Sequence, residues 1–318
     1  MASKLVWLGY AIDFVLRSKI PFYKNNKRYS KTRLLDYNKA SLELIDLINS
    51  GKPFAAGRMG LFELAAMRMY EFNKSDKYQL VMDNIYNCAG FFPNDISLGK
   101  KFTDVQKDAL KQMDLLACSE NLCENYFINT CMNKSAATTL TFDVFDVCRL
   151  EKSWSSALKG KKVLVVLPFD ESVRQQYAKR ENLFKGSDIL PEFELITYKP
   201  LMTVGDMKDS RFNSWFEALD FMKKEILAID FDIALLGCGA YGFPLASEIK
   251  KSGRSAIHVG GALQILFGIM GKRWDGTRTG NEIHIREDIA KYYNEYWTYP
   301  IEEKPEGAGK VEYGPYWK

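Results

Sequence analysis

Histidine is nearly absent from this chain: His258 and His284 are the only two in 318 residues. The six cysteines, Cys88, Cys118, Cys123, Cys131, Cys148 and Cys238, form no CxxC pair, and no histidine stands near one at zinc-ligand spacing. A structural zinc site is therefore not expected. Serine-hydrolase and Cys–His protease chemistry also lack support, because no nucleophile elbow is present and no cysteine sits in a suitable context. Charge of one sign is scarce too. The 44 basic and 40 acidic residues leave a net charge of +4, which does not suggest a nucleic-acid partner. Long apolar runs are missing. The stretch at 5–16 is about a dozen residues and contains Asp13, too short to cross a bilayer. It has no small-residue cleavage site and does not read as a signal peptide. Scattered cysteines without a secretion signal then read as free thiols in a reducing cytoplasm. No internal repeat and no low-complexity block occurs.

What remains is the composition of a globular protein, 47% hydrophobic and 26% charged, with ample material for one large α/β domain. Residues 1–35 read as an N-terminal segment. As a helix it places Leu5, Leu8, Ile12 and Leu16 on one face, either an interfacial anchor or a surface docked on the body. The basic run at 24–33, KNNKRYSKTR, is either a solvated linker or a contact for an anionic membrane or lipid-linked acceptor.

From residue 36 onward, apolar strands alternate with amphipathic helices. A helix is expected at 37–49, a strand at 53–57, the turn GRMG at 57–60, and a helix at 61–72. Residues 76–149 read as mostly helical, with a loop at 87–94. Strands are expected at 163–167, 194–198, 233–236 and 256–259, and helices at 172–183 and 213–229. In the last of these, Trp215, Leu219, Met222 and Ile226 share a face. This order predicts an α/β fold with a doubly wound, largely parallel sheet of Rossmann type. It carries a helical insertion and an extended, aromatic-rich C-terminal tail at 292–318. The body divides into halves at 36–158 and 159–318.

Three constellations carry chemistry. Gly237, Gly239 and Gly242 in GCGAYG match GxGxxG between a strand and a helix. A dinucleotide site would want an acid at the end of the next strand, where this chain has His258, Val259, Gly260 and Gly261. Backbone N–H groups of these turns, with Tyr241 and Gln264 beside them, suit a phosphate or sugar. Arg58 should stand at the ligand-binding edge of the sheet, where a guanidinium grips phosphate in a bidentate fork. Gly60 opens the following helix. Glu63 in its first turn is a candidate base or metal ligand, or an acid stabilised by the helix dipole alone. Lys272 and Arg273 beside Trp274 suit diphosphate neutralisation and stacking. Asp230-Phe231-Asp232 looks like a DxD, but it precedes its strand and should lie at the opposite edge.

These residues carry a family likeness. GRMGLFEL resembles the RxGxxE signature of the GT-D type glycosyltransferases, first known as a domain of unknown function. GCGAYGFPLA, AIHVGGALQILFGIMGKRW, NCAGFFPND, KVLVVLPFDESVRQQYAKRENLF and the closing VEYGPYW look like a bacterial branch found with surface-polysaccharide synthesis genes. The likeness covers roughly 40–318. It implies a nucleotide-sugar-binding fold and transfer of a sugar from a nucleotide-sugar donor to a polysaccharide or lipid-linked acceptor, in the cytoplasm or at the inner membrane face. In that family a DxE helps hold the donor with a divalent cation, Mn²⁺ or Mg²⁺. Here the matching positions are Leu61, Phe62 and Glu63, and only the acid carries over. A leucine ligates no cation, so Lys272 and Arg273 are the candidates to replace its charge. Two other functions fit the same motifs: a non-catalytic nucleotide- or sugar-binding partner in polysaccharide assembly, and an NAD(P)-linked sugar-nucleotide enzyme.

Overall fold

The computed structural model describes residues 4–20, 29–204, 207, 209–277, 284–305, 309, 314 and 316–318. Residues 24–28 of the basic run, Asn281 to Ile283 before His284, and most of VEYGPYW lie outside them. In chain order the elements are α1 (Lys4–Lys19), β1 (Arg33–Leu35), α2 (Tyr37–Asn49), β2 (Ala55–Arg58), α3 (Leu61–Glu71), α4 (Tyr78–Ala89) and α5 (Gly99–Lys111). Next come β3 (Leu115–Ala117), α6 (Glu124–Cys131), β4 (Ala137–Thr139), β5 (Lys162–Val166), α7 (Asp170–Tyr177), α8 (Arg180–Leu183) and β6 (Glu194–Tyr198). The remainder are α9 (Trp215–Ala228), β7 (Ile233–Leu236), α10 (Gly242–Lys251), β8 (Ser255–His258), α11 (Leu263–Leu266) and α12 (Glu287–Ala290).

Eight strands form one sheet in the order β1-β4-β3-β2-β8-β7-β5-β6, and every pair is parallel. This is the α/β architecture that the alternating pattern predicts. The sheet runs through both halves of the chain, which meet where β2 pairs with β8. From there the connections wind outward in opposite directions, to β3 on one side and from β7 on the other. Ligand crevices of open parallel sheets form at such a switch point.

Alternation of side chains sorts the core into two layers. Ala55, Leu116, Leu164, Val166, Leu236 and Ala256 face the layer of α3, α4, α5, α6, α9 and α10. Ala56, Leu115, Val163, Val165, Leu235 and Ile257 face α2, α7, α11 and the C-terminal Trp297 and Trp317. Helix ends follow local chemistry. Asp36 caps α2 by accepting the Lys39 N–H, and Ser214 caps α9 by accepting that of Glu217. The α9 stripe is buried as its spacing predicts, through Trp215, Leu219, Met222 and Ile226.

Three expectations need correction. Residues 76–149 are not simply helical, since β3 and β4 lie inside them, and β1 occupies the end of the expected linker. Each of these strands has three residues, RLL, LLA and ATT. Runs that short show no period of two, and only pairing with neighbours makes them strands. The expected helix at 172–183 is split into α7 and α8.

Candidate functional site

Six strand ends open on one crevice of about 230 Å³ at the carboxyl edge of the sheet. Arg58 closes β2. Phe142 follows β4, 167–169 follow β5, 200–204 follow β6, 237–241 follow β7, and His258 with Gly260 and Gly261 follow β8. Register brings the central strands level there, with His258 opposite both Gly57 and Leu236.

Arg58 is the organising cation. Its guanidinium lies 5.0 Å from the centroid of the Phe142 ring. On its other side is Gly260, where an added Cβ would fall 2.5 Å from Arg58 Nη2. Gly260 also has φ of +73°, so this position needs glycine for both backbone and space. Among the described residues no carboxylate forms an ion pair with Arg58.

Helix starts surround this cation. Gly60 precedes α3, the tight turn 239–241 leads into α10, and the turn 260–262 leads into α11. None of the three has a side-chain cap. Helix N-termini present unpaired N–H groups and positive dipole ends. At α3 the Glu63 carboxylate folds back over Gly60, where a Cβ would lie 1.9 Å from Oε2. Glu63 is buried.

Apolar and aromatic walls complete the crevice: Phe62, Phe169, Tyr241, Tyr316 and Trp317. Tyr241 stacks on Trp215 with centroids 5.3 Å apart. Thr203 donates to the Gly90 carbonyl at 2.6 Å, so its oxygen accepts from the Tyr241 hydroxyl at 2.7 Å. That relay fastens the 200–204 segment over the crevice, and burial raises the Tyr241 pKa. At the other wall Trp317 meets Phe169 edge to face at 4.9 Å, and the Tyr316 hydroxyl accepts from Arg273 at 3.2 Å.

Buried polar atoms without a hydrogen-bond partner among the described residues mark three of the lining residues: His258 Nδ1, Gln264 Oε1 and Trp317 Nε1. Gln264 is fully buried. Its amide nitrogen faces the carbonyls of Ile269, Met270 and Tyr316 at 3.2, 3.1 and 3.4 Å. Three acceptors on one side fix the amide orientation and leave Oε1 as an acceptor awaiting a donor. Burial, aided by the Arg58 charge, lowers the His258 pKa to about 3, so the imidazole is neutral at pH 7. Burial pushes the Cys238 thiol up to about 12, which keeps it protonated and poorly nucleophilic.

Of the residues expected at a site, Arg58, Gly60, Glu63, Gly237, Gly239, Tyr241, Gly260, Gly261, Gln264 and Arg273 line this crevice. Gly242 and Lys272 do not. Gly242 makes room for a neighbour, since a Cβ there would lie 2.1 Å from His258 Nδ1. Lys272 uses its backbone N–H on the Trp317 carbonyl at 3.2 Å. The DxD-like pair sits at the amino edge, where Asp232 accepts the Lys162 N–H at 2.8 Å and Asp230 pairs with the Lys162 ammonium. His284 is exposed. Sequence reasoning missed Phe142, Thr203, Tyr316 and Trp317 as site residues. The aromatic richness of the tail and the likeness carried by the closing VEYGPYW hinted at the last two.

A divalent cation held by the protein does not fit these residues. Glu63 is the one carboxylate among the described lining residues, Leu61 stands beside it, and among the described residues no three His, Cys, Asp or Glu gather as ligands.

No protein-family model matches this chain, and no curated protein matches it. Among solved structures it is similar to the highly conserved domain of unknown function 1792, described as having a distinct glycosyltransferase fold. The identity is 13%, over 84% of this chain and 96% of that one, with a TM-score of 0.43. A selenomethionine-substituted structure of domain 1792 shows 13% identity over the same shares, with a TM-score of 0.41.

Proposed function

We propose that this chain is a glycosyltransferase that takes a nucleotide-sugar in the switch-point crevice and passes the sugar to a hydroxyl of a glycan or lipid-linked acceptor. The observation that carries this reading is Arg58. It is a guanidinium wedged between Phe142 and Gly260, without an ion-pair partner among the described residues, amid uncapped helix starts. Such a setting favours a diphosphate. The aromatic wall suits a base or sugar face. Gln264 Oε1 calls for a ligand N–H or O–H.

In the transfer, the acceptor oxygen forms a bond to the anomeric carbon as the bond from that carbon to the diphosphate breaks. The electron pair leaves with the nucleoside diphosphate, whose charge Arg58, Arg273 and the turn N–H groups offset. Glu63 is the group proposed to take the acceptor proton. A second reading, binding without turnover, is favoured by Leu61 at the position where the resembled family has its Asp. An NAD(P)-linked enzyme lacks the ribose-binding acid after β8.

Thermal unfolding with UDP, GDP, CMP and NAD(H) tests all three readings, because a ligand bound only by the folded state raises the melting temperature. The transferase reading expects one nucleoside diphosphate to shift it. Arg58→Ala should weaken that ligand by roughly 10- to 100-fold, the worth of a charge-assisted contact. Release of nucleoside diphosphate from the matching sugar nucleotide, abolished in Glu63→Gln, separates transfer from binding. A shift with NAD(H) alone would overturn the proposal.

A further inference from the structure

Among the described residues twelve large hydrophobic side chains are exposed, and six belong to residues 5–20: Leu5, Val6, Leu8, Ile12, Val15 and Ile20. Scattered apolar residues on a surface need no explanation, but a contiguous group does.

Helix α1 has two apolar faces. The inner one docks on the body. Trp7 and Tyr10 pack against the core, Tyr10 meets Tyr126 edge to face at 5.3 Å, and the Lys74 ammonium sits 4.2 Å from the Trp7 ring. Asp13 accepts from Arg17 and from Asn125, each at 2.9 Å. The outer face carries Leu5, Leu8, Ile12 and Val15. At 100° per residue they fall within an arc of about 80°, with exposures from 48% to 79%. The one acid of the helix is spent on the inner side, so the outer face shows no negative charge.

Charge identifies the occupant. Between residues 14 and 35 the chain carries seven cations, Arg17, Lys19, Lys24, Lys27, Arg28, Lys31 and Arg33, and no Asp or Glu. Arg17 and Arg33 pair with Asp13 and Glu43, while the five cations at 19–31 have no acid within their own stretch. An apolar helical stripe continuing into such a stretch matches an anionic lipid surface, which takes apolar side chains at the acyl boundary and cations at the headgroups. A second copy of this chain fits poorly, because pairing through this face would bring two such cationic stretches together. At 16 residues the helix is about 24 Å long, and no described helix is long and apolar enough to cross a membrane.

We infer that the outer face of α1 lies in the interface of an anionic phospholipid bilayer and holds the chain there peripherally. This inference is independent of the ligand proposed for the crevice. The test is co-sedimentation of the full chain with phosphatidylcholine vesicles, with and without phosphatidylglycerol. Binding to the anionic vesicles that weakens with added salt is expected. Leu8→Ser/Ile12→Ser/Val15→Ser should reduce it at least about tenfold, with an unchanged melting temperature. Lys19→Glu, a change on an exposed side chain, should reduce it by a few-fold and serves should the triple variant fold poorly. No binding by the unmodified chain, or equal binding by the variants, overturns the inference. So does a concentration-dependent dimer that the triple variant abolishes while vesicle binding is absent.

Discussion

The two glycine turns at the crevice, one after β7 and one after β8, look alike in the sequence and serve different ends. At Gly260 and Gly261 the missing side chains admit groups that reach into the crevice, the Arg58 guanidinium and the Tyr316 ring. In GCGAYG the three glycines have three causes. Gly237 lets its turn approach Leu167 and the Gly260 carbonyl, with an added Cβ at 2.6 and 3.0 Å. Gly239 has φ of +57°. Gly242 yields to the buried His258 ring. A glycine pattern therefore marks where backbone or side chains come close, and which neighbour comes close decides between packing and ligand contact.

Breaking the packing glycine should cost most. Gly242→Ala drives a methyl into His258 Nδ1 and Cε1 at 2.1 and 2.4 Å, and His258 is buried. A loss of about 3 kcal/mol in urea-unfolding stability is expected. Adding His258→Ala should recover part of it, because the colliding ring is gone. If the double variant is no more stable than Gly242→Ala, the collision is not the cause.

Arg58→Ala comes next, with about 2 kcal/mol lost from nucleoside-diphosphate affinity and little from folding stability. The reverse pattern would make Arg58 a packing residue like Gly242.

His258 sharpens the comparison through pH. Its folded pKa, about 3, lies below the unfolded value near 6.5. Between those values the unfolded chain binds the extra proton, so stability falls as pH drops from about 6.5 toward 3. Full effect is a slope of about 1.4 kcal/mol per pH unit, which His258→Gln should remove. Identical slopes in the two proteins would place the imidazole in water.

Of the glycine variants, Gly261→Ala should cost the less stability, about 1 kcal/mol. Its methyl meets the Tyr316 ring at 2.3 Å, but Tyr316 is half-exposed near the chain end and can move aside. A loss as large as that of Gly242→Ala would erase the distinction between the turns.

Much of the fold was legible. Val163 to Val166 and Ile233 to Leu236 are runs buried on both faces, and such runs announce central parallel strands. RLL, LLA and ATT were not legible, because three residues hold no period and gain strand identity only from partners. Arg58 and Glu63 could be placed near a ligand edge from the strand–turn–helix order. Phe142, Thr203 and Trp317 could not. They arrive from β4, β6 and the chain end, and nothing in their own neighbourhoods encodes that meeting.

The sequence by itself determined the alternation of strands and helices, the burial of the central strands, the glycine turns and the cationic stretch after α1. All of these are local, written in hydrophobic period, backbone freedom and charge over a few residues. The tertiary structure alone decided that β2 lies beside β8, that Arg58 rests against Gly260, that His258 is neutral under Gly242, and that Leu5, Leu8, Ile12 and Val15 face outward while Trp7 and Tyr10 face in. Each of those depends on which distant surfaces pack together, and packing is settled by the burial of the whole core rather than by any single segment.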